Sequence, residues 1–264
     1  MDLQLTGKKA LVTGSTAGIG YEIALALAEE GAEVIINGRK SKDVEKMVTE
    51  LKAKSGNTAI SGVAADFSKV EEINALIRAV PQVDILINNV GIFEQVDFGE
   101  ITDEQWQEVF DINVMSGIRL SRAYFSKMLS QDWGRIIFIS SESGLNIPSE
   151  MVHYGMSKTA QLSISRGLAK LSKGTNVTVN SVLPGPTWSR ANRKAIAEQV
   201  KEEGKSEKQV LREFFEERRP SSLIQRFAEP REVATMVAYI ASPLSSATNG
   251  AALRVDGGIV NSIL

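Results

Sequence analysis

The run Lys8-Lys9-Ala10-Leu11-Val12-Thr13 leads into Gly14-Ser15-Thr16-Ala17-Gly18-Ile19-Gly20, and an apolar-periodic stretch follows over 19–30. No other segment constrains the fold as much. A short apolar strand, a glycine turn and a helix form the opening unit of an α/β sheet. The glycines permit a tight turn and close backbone approach, and the helix N-terminus offers N–H donors and a positive dipole end, a combination that cradles a pyrophosphate. Three glycines can also be plain turn punctuation, but the alternation continues downstream. Strands are predicted at 9–13, 33–37, 59–64, 85–88, 135–139, 178–182 and 252–255, with helical periodicity at 18–30, 42–54, 69–79, 102–130, 152–172 and 229–241. Leu86, Ile87 and their neighbours form a continuous apolar run, as a strand covered on both faces requires. The pattern predicts an α/β fold, a doubly wound parallel seven-stranded sheet with right-handed crossovers, in a single domain over 1–264.

Composition bounds what such a domain does. A length of 264 residues, 43% hydrophobic, suits one α/β domain. A net charge of −2 and a pI near 5.7 argue against a general nucleic-acid binder. The absence of cysteine excludes disulfides and thiolate chemistry and fits a reducing cytoplasm. The start Met1-Asp2-Leu3-Gln4-Leu5-Thr6-Gly7 lacks the pattern of a signal peptide, and no apolar run approaches the roughly 20 residues that span a bilayer. His153 is the only histidine, so no metal site built on His and Cys is expected.

Tyr154 and Lys158, in Tyr154-Gly155-Met156-Ser157-Lys158, stand at i and i+4 and share one helix face. A free tyrosine, with a pKa of about 10, is a poor proton donor at neutral pH, and a neighbouring cation is expected to lower that value. The pair is a candidate acid/base unit; the plain alternative is a solvated lysine lying along a half-buried tyrosine. Ser140-Ser141 ends the apolar run Arg135-Ile136-Ile137-Phe138-Ile139, where ligands of open α/β sheets bind, although a serine there can equally cap a turn. Asn113 sits inside a helix-like segment that disfavours asparagine.

These residues together resemble the short-chain dehydrogenase/reductase family in its single-domain, Rossmann-like form. The resemblance runs through Thr13 to Gly20, Asn88-Asn89-Val90-Gly91, Asn113, Ser141, Tyr154, Lys158, Pro184-Gly185 and Asp256-Gly257-Gly258, nearly the whole chain. It implies NAD(P)-dependent hydride transfer between nicotinamide C4 and a carbonyl or alcohol carbon of a small molecule, such as a 3-oxoacyl, ketone or aldehyde substrate. Tyr154 would move the proton, Lys158 would hold the nicotinamide ribose and lower the Tyr154 pKa, Ser141 would bind the substrate oxygen, and Asn113 would hold a relay water. Gly14, Ser15, Thr16, Gly18, Ile19, Gly20, Arg39, Asp66, Asn89, Gly91, Pro184, Gly185 and Thr187 would complete the cofactor site, with no metal. The charged segment after Pro184-Gly185-Pro186 reads as two amphipathic helices, at 191–205 and 206–219; the resemblance implies that it is a substrate-binding helical lobe, at about 186–228, and that the protein is a homo-oligomer, tetramer or dimer.

The second strand ends Asn37-Gly38-Arg39-Lys40 with no carboxylate at the turn, and Arg39 offers a planar cation suited to a 2′-phosphate. NADP(H) is therefore expected in preference to NAD(H), although Ala17 stands where many NADPH-linked relatives carry a second basic residue. Asp66 would contact the adenine, cap the following helix, or do both. Glu142 either faces the pocket or points to solvent, Trp188 is either pocket wall or lobe core, and His153 is structural. The alternative functions are a catalytically silent NADP-binding regulatory or scaffold protein and an NAD-linked alcohol or sugar dehydrogenase.

Overall fold

The computed structural model describes residues 2–263. Seven strands, β1 (Lys9–Val12), β2 (Glu33–Gly38), β3 (Ile60–Ala64), β4 (Ile85–Asn88), β5 (Gly134–Ile139), β6 (Val177–Pro184) and β7 (Ala252–Val255), form one parallel sheet in the order β3-β2-β1-β4-β5-β6-β7. The strand order reverses between β1 and β4, which opens a crevice beyond their carboxyl ends. Register sets the rim of that crevice. Val12 lies level with Ile36 and Ile87, so Thr13-Gly14, Asn37 and Asn88-Asn89 emerge together.

Alternate strand residues feed two apolar layers. Val12, Ile36, Ile87 and Ile137 pack under α1 (Gly18–Glu29), α2 (Ser41–Ser55) and α9 (Pro230–Ala241). Leu11, Ile35, Leu86, Ile136 and Phe138 pack under α3 (Val70–Ala79), α5 (Ser116–Ser130) and α6 (Val152–Leu171). Both faces of the sheet are covered, as the apolar runs require. No helix among the described residues is long and apolar enough to cross a membrane.

The helix expected over 102–130 is interrupted. It runs as α4 (Asp103–Phe110), a π-helical turn over Asp111–Met115, and then α5. The turn places Asn113 in the protein interior, and such turns accompany functional sites.

Beyond β6 the chain leaves the sheet and returns at a single bridge between Thr187 and Ala228, tightened by Trp188 N donating to Ala228 O at 2.9 Å. The excursion carries α7 (Arg190–Glu203), capped by the Ser189 hydroxyl, and α8 (Glu207–Glu213), opened by a Ser206/Gln209 capping box. Its core is its own: Ile196, Val210, Phe215 and Phe227, with Trp188 stacked on Phe227 at 4.3 Å. Trp188 belongs to this lobe core.

Candidate active site

Helix α6 presents Tyr154 and Lys158 to the crevice, and hydrogen bonds with three other segments hold it there. Ser140 Oγ, at the end of β5, donates to Lys158 O at 2.9 Å. Thr159 Oγ1 donates to Gly144 O at 2.8 Å. Asn113 Nδ2 donates to Ser157 Oγ at 2.9 Å. Ser141 caps a 3₁₀ turn over Glu142–Gly144, accepting from Ser143 N at 3.1 Å, and its hydroxyl also bonds the Tyr154 side chain. Ser141, Tyr154 and Lys158 line one cleft of about 300 Å³ with Ile19, Asn89, Gly91, Pro184, Gly185 and Thr187.

The electrostatics correct the expectation for the pair. Lys158 Nζ lies 5.6 Å from the Tyr154 ring centre, but it donates to Ile139 O at 2.9 Å and Gln161 Oε1 at 3.4 Å. Burial pushes the Lys158 ammonium down to about 7. Desolvation pushes Tyr154 up to about 12 against the opposing Ser141 hydrogen bond, with the Glu142 charge adding to the rise. For both groups, loss of water is the dominant cause of the shift. Lys158 is thereby set to gain or lose a proton near neutral pH.

Asn113, expected to hold a relay water, is tied into the protein by several hydrogen bonds. Its side chain accepts from Ile92 N at 2.7 Å and donates to Ile92 O and Ser157 Oγ, both at 2.9 Å. Its carbonyl accepts from Gln161 Nε2 at 2.7 Å. Asn113 is thus bound to protein through both its side chain and its carbonyl, and Gln161, fully buried, links Lys158 to the π-helical turn. Gln161 was not singled out from sequence. The available signal was its place at i+7 from Tyr154 on the same face.

A second cavity, of about 380 Å³, continues from the first through Asn89 and Gly91 and is lined by Gly14, Thr16, Gly38, Arg39 and Asp66. Gly14 and Gly18 both have φ +59, and a Cβ at Gly20 would stand 2.5 Å from the Gly14 carbonyl oxygen. Helix α1 has no side-chain cap and no acidic residue in its first turn, so its leading N–H groups are left for an anion. A backbone cradle, free helix N–H groups and an exposed, unpaired Arg39 fit a dinucleotide phosphate chain.

Four expected ligands have bonds within the protein. Ser15 is fully buried, and its hydroxyl donates to Val12 O at 2.7 Å and accepts from Asn37 N at 2.9 Å, so its side chain is not available to a cofactor. Asn89 Nδ2 donates to Thr13 O and Gly14 O at 2.9 and 3.0 Å and shapes the glycine turn. Asp66 does not cap α3, whose cap position is Lys69; it closes a turn on Ser68 N at 3.0 Å, and that bond holds its carboxyl below the usual range. Arg39 lies close enough to Asp66 to add to that lowering. Thr187 Oγ1 donates to Gly185 O at 2.9 Å, fixing the loop that borders the cleft. His153 is buried against Trp106, with ring centres 5.8 Å apart, off the catalytic face.

Comparison with known proteins agrees with this geometry. The short chain dehydrogenase family model matches residues 8–200. The chain belongs to that family. It is an NAD(P)-dependent oxidoreductase acting on a CH–OH or C=O carbon. An uncharacterized oxidoreductase of Bacillus subtilis, YvaG, is 48% identical over 263 residues, covering 100% of both chains. The 3-oxoacyl-[acyl-carrier-protein] reductase FabG of Aquifex aeolicus is 33% identical, covering 98% of this chain and 100% of its own. Among solved structures, L-sorbose reductase from Gluconobacter frateurii, complexed with NADPH and L-sorbose, matches with a TM-score of 0.93 at 30% identity, over 100% of both chains.

Proposed function

We propose that this short-chain dehydrogenase reduces a small ketone or aldehyde to its alcohol with NADPH in preference to NADH. The observation that carries the reading is the convergence of Ser141, Tyr154 and Lys158 on one cleft that opens into the glycine cradle. When bound, the reduced nicotinamide supplies the hydride that the carbonyl carbon accepts. Ser141 Oγ bonds the carbonyl oxygen and fixes its position. Tyr154 gives that oxygen a proton as it becomes a hydroxyl, so carbon gains two electrons and oxygen one proton. Lys158, poised near neutrality, is the cation that lowers the cost of the Tyr154 phenolate. Gly14, Thr16, Gly18 and Gly20 hold the pyrophosphate, Arg39 the 2′-phosphate, Asp66 the adenine end, and Ile19, Asn89, Gly91, Pro184, Gly185 and Thr187 the nicotinamide end.

Arg39 supports the NADPH preference: it faces the cradle, is exposed, and has no carboxylate partner within ion-pair distance. Binding of NADPH and NADH to wild type and Arg39→Ala tests it. Loss of a single charge-assisted phosphate contact should weaken NADPH by about 10- to 100-fold and leave NADH unchanged. Equal binding of the two cofactors to the wild type would refute the preference. The same reading includes a cytoplasmic location, where the nicotinamide pool is drawn on, and a homo-oligomer, tetramer or dimer. Apolar side chains left exposed at Leu171, Tyr239 and Leu244 support the latter; light scattering that returns a monomer would remove it.

A further inference from the structure

The carboxyl of Glu142 has no role in the steps above, yet it sits in the wall of the catalytic cleft. Glu142 follows Ser141 directly, lines the same cleft, and is 5% exposed. Its burial excludes the solvent-facing reading; it stands between this cleft and a neighbouring one lined by Asn146, Glu150 and Arg219, and its charge reaches Tyr154. Among the described residues Glu142 forms no ion pair; Arg219, which lines the cleft and contacts Glu150 at 3.9 Å, acts on it only through its charge, opposing the effect of burial. The side-chain partner of Glu142 within the chain is the Ser143 hydroxyl. A carboxyl offers about four acceptor positions, so most of its capacity is unspent. Burying such a group is costly unless a donor meets it, and desolvation accordingly holds it above the usual carboxylate range.

We infer that Glu142 accepts a hydrogen bond from a substrate hydroxyl next to the reacting carbonyl, so that the substrate is a compact polyhydroxy ketone or aldehyde. The inference rests on the oxidoreductase reading above and narrows it. Ser141 takes the carbonyl oxygen, and consecutive residues of one tight turn set the next acceptor one or two carbons away. An aliphatic chain at this point would leave the carboxyl without a donor, and an acidic group would meet like charge. The Gln95 and Asn192 side chains, on the same cleft, suit further hydroxyls. The cleft volume of about 300 Å³, shared with the nicotinamide, favours a short molecule.

Isosteric ketone pairs test this, hydroxyacetone against butanone and dihydroxyacetone against 3-pentanone, each with NADPH and with NADH. Wild type should favour the hydroxylated member of each pair by about 10²-fold in kcat/KM, because a site built for a hydroxyl discriminates strongly against its absence. Glu142→Leu should collapse that ratio to within about threefold of unity, whereas Glu142→Gln, which keeps an acceptor, should retain most of it. Circular dichroism melting confirms that each variant is folded. A wild-type ratio near one, or a Glu142→Leu variant that lowers both members alike with the ratio intact, would overturn the inference while leaving the oxidoreductase reading in place. Failure to turn over any ketone with either cofactor would overturn both.

Discussion

The rim of the sheet around Tyr154 and the lobe over 186–228 are stabilised in different ways. At the rim, polar side chains from β5, the π-helical turn and α6 are cross-linked by hydrogen bonds between segments far apart in sequence: Ser140 to Lys158, Asn113 to Ser157, Gln161 to Asn113. In the lobe, four buried apolar side chains and a stack of aromatic rings do most of the work, and the charged faces of α7 and α8 remain in water. The first arrangement fixes positions to fractions of an ångström, as proton transfer requires. The second packs around its own aromatic cluster and meets the rest of the protein at its edges, through the Thr187–Ala228 bridge and the bonds of Ser221, Leu223 and Ile224 to Ile259 and Gly257. Under the proposed function, chemistry falls to the rim and specificity to the lobe that borders the cleft.

The largest effect belongs to the rim. Tyr154→Phe should lower kcat by about 10²–10⁴ while NADPH binding is retained; near-full activity would break the assignment of the rim as the chemical half. In the lobe, Phe227→Ala removes a ring stacked on both Trp188 and Phe214 and should cost about 3–5 kcal/mol of packing. If the two regions are separable, hydrogen exchange rises over 186–228 and not over α6, and KM for the ketone rises more than kcat falls. Exchange that rises equally in both regions would show a single cooperative unit.

Lys158 gives a pH test of the rim. Its value is lowered from 10.5 to about 7, so between those limits the unfolded chain binds more protons than the folded one. Stability without cofactor should therefore increase as pH rises through this window, by up to about 1.4 kcal/mol per pH unit from this group. Lys158→Met should remove that slope, read as the difference between denaturation midpoints of variant and wild type. A slope unchanged in the variant would mean that Lys158 is charged and solvated in the folded protein. The smallest effect is expected of Gln161→Leu. Freeing the Asn113 carbonyl and one Lys158 contact should cost about 1–3 kcal/mol and displace the pH profile of kcat, with KM for NADPH held; a loss of stability with no movement of that profile would make Gln161 structural only.

Sequence made the rim more legible than the lobe, for a physical reason. The glycine turn, Ser141, Tyr154 and Lys158 are read from local spacing, because strand-to-helix turns and helix faces are local geometry. What it left hidden depends on distant partners. Ser15 looks like a phosphate ligand until Asn37 is brought beside it across the sheet. The π-helical turn adds no break to the helical periodicity of 102–130, so Asn113 stands out only as an unfavourable residue. The raised pKa of Tyr154 and the lowered pKa of Lys158 follow from burial, which i, i+4 spacing does not reveal. The lobe showed its two helices through amphipathic patterning, but the inward turn of Trp188 depends on Phe227, brought back at the far end of the excursion.

The central claim, hydride transfer to a carbonyl carbon with Tyr154 as the proton donor, is tested most directly by following an isotope. NADPH deuterated at nicotinamide C4 would be incubated with hydroxyacetone and either wild type or Tyr154→Phe, and the alcohol examined by NMR. The account predicts deuterium on the carbinol carbon with wild type, oxidation of one NADPH for each alcohol formed, and formation slower by about 10²–10⁴ with the variant. Alcohol lacking deuterium at that carbon, or labelled alcohol formed as fast by Tyr154→Phe as by wild type, would contradict it.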